Sequence, residues 1–383
     1  MKMNRLPSDE KGTIFVWVGL TLAILIGFAA FATDIPYVYV ARHQAQTAAD
    51  AGAIAGAYEL PNGGKARSRA KTFAGLNPII GQFLTPGQVA AFTCNSINGA
   101  IGECSANTAN PDQVTCITYR DVAHGNPMPL FLMPVLQLFG MGRATAGASG
   151  WDAANVSATA TARLSNACSG DCFKPWSIAD RWTEKSIPPN GQFDVGIDEY
   201  DPVTTGYQSP ADNGLLVTLK VGNPQAAITS GFFYAVDFPP LNRGTPVTGG
   251  STYKDNISTC GPGSFVAIGD QLQVEPGNMV GPTVQGVQAL IDLDPTASWD
   301  ASCGCANSPF GANSPRLIRL AFFDPRLPVV SGRTYVTVVK VGGFFIEGVQ
   351  AGGDVVGYYT QVIAFGGPPD PNCSFLQIVQ LVK

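Results

Sequence analysis

The chain has 383 residues, enough for two domains, and its net charge of −5 offers no electrostatic reason to bind nucleic acid. Charged residues make up only 13%, about half the usual share, while 44 glycines and 29 prolines supply many turns. Low charge with abundant turn formers points to a loop-rich, β-rich protein.

The first element is a run without charge, Thr13 to Thr33. As a helix it spans about 30 Å, the hydrocarbon thickness of a bilayer. A core helix of a soluble domain would show a polar face before Asp34, and this run shows none. A cleaved signal peptide is the rival, and Ala30-Phe31-Ala32 resembles a small-x-small site. The apolar run is longer than a signal peptide needs, so an uncleaved membrane anchor over 13–33 is expected. Lys2, Arg5 and Lys11 precede it, and the next basic residue after it is Arg42. The positive-inside rule then places residues 1–12 in the cytoplasm and 34–383 outside it, across the inner (cytoplasmic) membrane.

Asp34 and Pro36 mark the exit from the bilayer, and Pro36 suits the first turn of a helix. From Tyr37 onward the sequence favours helix, giving a membrane-proximal segment over 34–60. Ala41, Ala45, Ala49, Ala53 and Ala57 recur every four residues, and Ala48, Gly52 and Gly56 form the neighbouring row. Small residues at this spacing let another backbone approach closely. The rows suit packing against the chain's own domain and packing against copies of the chain or partner subunits equally well.

The order of these features resembles the N-terminal region of TadG-like (TadE/G-like) proteins of the Tad, or Flp-type, pilus assembly machinery. A basic start leads to "KGTIFVWVGLTLAILIGFAAFATD", an aromatic pair in "YVYVAR", and "QAQTAADAGAIAGA". The family reads "L-Q-x-A-A-D-A-A-A-L-A-G-A" there. Gln46, Ala48, Ala49, Asp50, Ala51, Ala53, Ala55, Gly56 and Ala57 match, and the similarity is strongest over 11–58. It implies a membrane-anchored structural component of a pilus, with adhesion and biofilm formation as outcomes. The implied partners are other pilus-assembly proteins or copies of itself. Two departures stand out. Related pseudopilins are cut after a glycine with a glutamate five residues on, and here Gly12 is followed at that place by Trp17. Some TadG relatives carry a von Willebrand type A domain with an Asp-x-Ser-x-Ser metal motif, which this chain lacks.

Beyond the anchor, a small pilin-like α+β domain is expected over 61–165. Pro129–Met141 reads as an amphipathic core helix bounded by prolines. Val156, Ala158, Ala160 and Ala162 alternate as in a strand. From residue 166 to 383 the pattern is strand, turn, strand: "GLLVTLKVGNP", "SGFFYAVDFP", "SFVAIGDQLQVEPG", "SPRLIRLAFFDP", "RTYVTVVKVGGFFIEGV" and "VVGYYTQVIAF". After Pro282 a short helix is expected, with Val284, Val287 and Ile291 on one side. The fold class is therefore α+β. A transmembrane helix continues into an Ala-rich helix, then come the small domain and a larger β-rich domain, sandwich-like or barrel-like, with one helix docked on it.

Nine cysteines, Cys94, Cys104, Cys116, Cys168, Cys172, Cys260, Cys303, Cys305 and Cys373, all follow the anchor. Outside the cytoplasm they read as disulfide candidates, with at least one left unpaired or intermolecular because nine is odd. Cys168 and Cys172, four apart, read as a disulfide rather than a zinc half-site, because the chain has only His43 and His124 to help. Cys303 and Cys305 are too close for self-pairing to be expected. Each should reach a distant partner, or one should stay free.

Nothing in the sequence marks an enzyme, and no cofactor or metal is expected. There is no Gly-x-Ser-x-Gly elbow and no His-Glu-x-x-His, and "GPGSFVAIGD" lacks the spacing of a phosphate loop. Asp198, Glu199 and Asp201, and Asp292 with Asp294, are acid groups that suit calcium or hydrolysis but more often form turns. The alternative function is an anchored or secreted β-sandwich module binding a glycan or surface partner. Trp176, Trp182 and Trp299 are its candidate platform, with core packing as the competing role for each.

Overall fold

The computed structural model describes residues 10–96, 102–137, 152–277, 279–330, 334–373 and 375–382. Lys2, Arg5 and the end of the expected 129–141 helix lie outside these. The chain is mixed α+β, with a long apolar N-terminal helix, few other helices and a large β-rich C-terminal region. It divides into two compact units, one of residues 1–163 with 381–383 and one of 164–380.

In the first unit, the apolar run and the alanine-rich run form one helix, α1 (Glu10–Ala57), 48 residues long. Pro36 lies inside it rather than opening a second helix. Proline costs one helical hydrogen bond, and the carbonyl it orphans belongs to Ala32, on an exposed side of α1. The chain then turns back into α2 (Gly63–Gly75), whose start is capped by Asn62: its Oδ1 accepts the Lys65 N–H at 3.0 Å. α2 buries Ala66, Ala70 and Ala74, one per turn. Three antiparallel strands follow, β1 (Val89–Cys94), β2 (Gln113–Arg120) and β3 (Val156–Asn166), with β2 in the middle. A short helix, α3 (Met133–Gln137), lies between β2 and β3 in sequence.

Small residues bring these elements together. A Cβ on Gly52 would stand 2.6 Å from Cys116 Sγ and 2.8 Å from the Ala70 carbonyl oxygen. A Cβ on Gly56 would stand 2.9 Å from both the Ala66 carbonyl oxygen and Val114 Cγ1. So α1 meets the backbone of α2 and the side chains of β2 at once. Polar residues of α1 fix the register. Gln46 Nε2 donates to the Thr159 carbonyl at 3.2 Å, and Thr118 Oγ1 donates to the Ala45 carbonyl at 3.1 Å.

In the second unit, a seven-stranded sheet is built from β4 (Phe173–Ala179), β5 (Leu216–Val221), β6 (Phe232–Asp237), β7 (Gln271–Val274), β8 (Leu317–Phe323), β9 (Tyr335–Val349) and β10 (Val355–Thr360). Its order is β7-β9-β8-β4-β6-β5-β10, and β9 also pairs with β10, so the sheet closes on itself in a barrel-like ring. The 15-residue β9 makes this possible: its start pairs with β7, its middle with β8 and its end with both β8 and β10. Both faces of β6 are buried. Phe232, Tyr234 and Val236 join one core, while Phe233 and Ala235 join another with Trp176, Phe322, Phe344 and Tyr359.

Two helices rather than one dock on this sheet. α4 (Gly250–Ser258) carries only Tyr253 and Ile257 as apolar signal, too little to stand out in "GSTYKDNIS". α5 (Val280–Leu293) is the expected helix, but its buried face is Thr283, Gly286, Val287 and Leu290, with Val284 and Ile291 half-buried. The rotation follows from α4: a Cβ on Gly286 would stand 2.7 Å from Ile257 Cβ, so this bare turn is where α4 crosses.

Replacing Gly56 by Val should destabilise the first unit by about 1–3 kcal/mol, because the new side chain meets backbone on α2 and Val114 on β2. Denaturant unfolding of the full chain in detergent would show this. Gly19→Val, where nothing stands within 4 Å of the new Cβ, should leave the midpoint in place.

Candidate functional site

The apolar part of α1 is bare over most of its circumference. Phe15, Trp17, Leu22, Leu25, Phe28 and Phe31 are all exposed. One stripe is covered: Ala23, Ile26 and Gly27 are half-buried, and Ala30 and Asp34 are buried. Leu136 of α3 packs there, 3.9 Å from where a Gly27 Cβ would stand. Asp34 closes the stripe at 1% exposure. Its Oδ1 accepts the Phe131 N–H at 3.0 Å, and its Oδ2 accepts those of Leu132 at 3.0 Å and Met133 at 2.7 Å. These amides open α3 and have no partner within the helix, so a carboxylate from α1 caps a helix about a hundred residues away in sequence.

Above Asp34 the covering changes. Ala41, Ala45, Ala48, Ala49, Ala53 and Ala57 are all fully buried, and Gly52 and Gly56 are buried with them. α2 and β2 of the chain's own unit cover both rows. Ile35, Pro36, Tyr39, Val40, Arg42, His43 and Thr47 are the residues left exposed on this half.

Eight cysteines form four disulfides: Cys94–Cys104, Cys168–Cys373, Cys172–Cys260 and Cys303–Cys305. Cys168 and Cys172 are therefore not bonded to each other. Each ties the start of β4 to a distant segment, at sequence separations of 205 and 88. Cys303 and Cys305 do pair with each other, contrary to expectation. Gly304 between them takes φ +61°, which lets the chain double back and sets the Cα atoms 5.3 Å apart. Cys116 is free and buried against Gly52, and burial pushes its thiol up to about 12, so it holds its proton.

The acid groups do not converge as the sequence pairs them. Asp198 accepts the Lys185 and Asp194 N–H groups at 2.7 and 2.9 Å, Glu199 pairs with Lys185 Nζ at 3.3 Å, and Asp201 braces its own turn through the Val203 and Thr204 N–H groups. Asp292 is exposed while Asp294 is buried against the hydroxyls of Ser308 and Ser314. Instead Asp198 meets Asp194 and Glu184, their carboxylate oxygens within 4.8 Å of one another. That trio is committed to the loop. Asp194 accepts Ser186 Oγ and Asn190 Nδ2, and Glu184 accepts the Gly191 N–H. Burial pulls the Asp198 carboxyl upward, but the Lys185 and Asp194 amides outweigh it and hold it below the usual range.

A closer carboxyl pair escaped the sequence because its members lie on different elements. Asp237, at the end of β6, and Glu275, just after β7, are both buried. Burial, then the Glu275 carboxyl beside it, pushes Asp237 up to about 8. Glu275 accepts the Gly249 N–H at 2.9 Å ahead of α4. Lys174 on β4 is a buried amine that donates to the Thr259 carbonyl at 3.0 Å, and burial, then Arg319, pulls it down to about 7. Asp180 is different: fully buried, it accepts Lys340 Nζ at 2.8 Å, Tyr200 Oη at 3.1 Å and the Tyr207 N–H at 2.9 Å, so its charge is matched.

The three tryptophans form no common surface. Trp176 is fully buried and donates to Tyr253 Oη at 2.8 Å, Trp182 packs edge-on against Phe193, and Trp299 stacks on Tyr358. A cavity of about 720 Å³ opens beside Phe193, Ile228, Tyr234, Val274, Pro276 and Pro325.

Against known proteins, the likeness is confined to the N-terminal helix. Residues 12–59 match the family described as putative Flp pilus-assembly TadE/G-like. The TadE/G-like match coincides with α1 from the start of the apolar run to just past the alanine rows. No curated protein and no solved structure matches the chain. The structure gives the matched motif a physical reading. Its alanines and glycines are the contact with α2 and β2, Gln46 holds β3, and Gln46 Nε2 also donates to Asp50 at 2.7 Å.

Asp237 and Lys174 set opposite pH slopes. Asp237 rises from 3.8 to about 8 on folding, so the native state holds a proton that the unfolded chain has lost, and stability falls with pH across that window. Lys174 drops from 10.5 to about 7, so above that pH the unfolded chain holds the extra proton and stability rises again. Melting temperatures of the full chain between about pH 5 and 7 should therefore decline, and Asp237→Asn should flatten that decline.

Proposed function

We propose that this protein is a membrane-anchored structural component of a Tad/Flp-type pilus assembly system. Residues 13–33 would cross the inner membrane, residues 1–12 would face the cytoplasm and residues 34–383 would lie outside. The observation that carries this reading is the coincidence of the TadE/G-like match with a helix whose first half is long, apolar and bare. In water that bare face would be an exposed patch of a kind that folded proteins avoid, and lipid removes the cost. Eight cysteines in disulfides, all after the anchor, fit an oxidising compartment on that side. Adhesion and biofilm formation would follow from the pilus. The protein acts here by architecture, not by catalysis. The acid groups support loops and Cys116 holds its proton.

Because the alanine rows are covered by the chain's own unit, contacts with other pilus subunits would run through the bare faces of α1. A second reading, a ligand-binding module, has the apolar cavity beside Tyr234 in its favour, and that lining suits an apolar ligand better than a glycan.

Photo-crosslinkers at His43 and Thr47 in the full chain, expressed with its pilus genes, provide the test. The expected outcome is a full-length membrane-bound chain crosslinked to pilus-assembly proteins. A soluble chain beginning near residue 33, with no such adducts, would overturn the proposal.

A further inference from the structure

We propose that the segment Pro129–Gln137 is a second membrane contact, lying in the outer leaflet of the bilayer against the side of α1. The inference rests on the reading of residues 13–33 as a membrane span and goes beyond it.

The placement follows from where α3 touches α1. Leu136 packs beside Gly27, which is six residues inside the end of the charge-free run at Thr33. At the helical rise this is about 9 Å below the membrane edge, the depth at which interfacial helices lie. The segment "PLFLMPVLQ" carries no charge. Phe131 is 61% exposed, and Leu132, Met133, Pro134 and Val135 are only half-buried, so apolar surface faces away from α1. The stretch of α1 against which the segment packs, between Gly27 and Tyr37, itself offers the exposed rings of Phe28 and Phe31. A lipid surface is the occupant that covers both without interruption.

The backbone is prepared for it. In hydrocarbon an unpaired amide is costly, because no water can serve it. The amides of Phe131, Leu132 and Met133 at the start of α3 are the ones at risk, and all three donate to Asp34. The carboxylate is in turn solvated by those three donors, so it tolerates its place at the membrane edge. The Tyr37 ring meets Phe131 edge-on at 4.9 Å, setting an aromatic pair at the level where tyrosine favours the interface. The Leu130 N–H, one residue before, donates to the Asp152 carbonyl, which returns the chain toward β3.

The test is a depth measurement on the full chain in phosphatidylethanolamine–phosphatidylglycerol vesicles. Nitroxide labels are attached at Phe131→Cys, at Ile24→Cys in the bare span, and at Val122→Cys in an exposed turn; all three native side chains are exposed. Cys116 is buried and the remaining cysteines are bonded, so labelling is selective. Collision with dissolved oxygen reports lipid, and collision with a water-soluble nickel chelate reports water. The expected result is oxygen-dominated collision at Ile24 and, at shallower depth, at Phe131, with nickel-dominated collision at Val122. A water-exposed Phe131 label beside a lipid-buried Ile24 label would overturn the second contact and leave the anchor standing. A Phe131 label shielded from both reagents would also overturn it, in favour of a protein covering that face. Water exposure at both Phe131 and Ile24 would sink the anchor itself.

Discussion

The contact of α1 with α2 and β2 is the constraint on which the first unit depends. At Gly52 and Gly56 a third partner backbone or side chain occupies the space a Cβ would take, from two directions. Such an approach is open only to residues without side chains, and the alanines around them fill what remains. Everything else in the unit is placed by it. β2 lies between β1 and β3 and against α1, so both neighbours take their positions from β2, and Gln46 pins β3 a second time. The free thiol of Cys116 belongs to this contact. It fills space against Gly52, and a disulfide would require it to leave.

The second unit solves a different problem. Its β6 is buried on both faces, so each residue of "FFYAVD" has to serve a core, including Asp237 at its end. That carboxyl is buried with the Glu275 carboxyl as its charged neighbour, so it keeps its proton up to about 8. Asp180, the residue just after β4, has Lys340, Tyr200 and the Tyr207 amide as donors to its carboxylate. Two buried aspartates of the same unit thus differ in what each one faces: one has a second carboxyl beside it, the other a buried lysine and two further donors.

Much of α1 was legible because its signals are local. Absence of charge over 13–33 and the four-residue alanine period need no tertiary information, and together they describe the helix over nearly its whole length. The strands of the second unit were legible through β-branched and aromatic runs for the same reason. What the alanine rows touch was not legible, since small residues suit the chain's own α2 as well as another subunit. The choice between sandwich and barrel was not legible because closure depends on β9 being long enough to pair twice, and α4 was hidden because two apolar residues make no pattern. Disulfide partners 88 and 205 residues apart, and the meeting of Asp237 with Glu275, are consequences of topology that spacing does not encode. The one local surprise, Cys303 with Cys305, turned on the backbone freedom of a single glycine.

The two halves of α1 invert each other, and the inversion says how the helix is used. Below Asp34 most large residues are bare and the covered stripe is mostly small, with Ile26 half-buried in it; above it the alanines of the two rows are fully buried and the exposed residues are a mixture of aliphatic, aromatic and polar ones. In water, burying an alanine gains little area, so a row of them is worth its place only if it admits a backbone that a leucine would keep out. In lipid, a bare phenylalanine is already in an apolar medium and needs no protein partner. One helix can therefore run through both media if its large side chains sit where lipid covers them and its small ones where protein does. The change falls at Asp34, whose carboxylate accepts three amides at the start of α3; with the apolar half in lipid, as proposed, that is where a charge would be accommodated at the border between the two media. With the alanine rows already filled, any partner of the proposed assembly that approached α1 above Asp34 would meet Ile35, Tyr39, Val40, Arg42, His43 and Thr47, a surface of mixed aliphatic, aromatic and polar character.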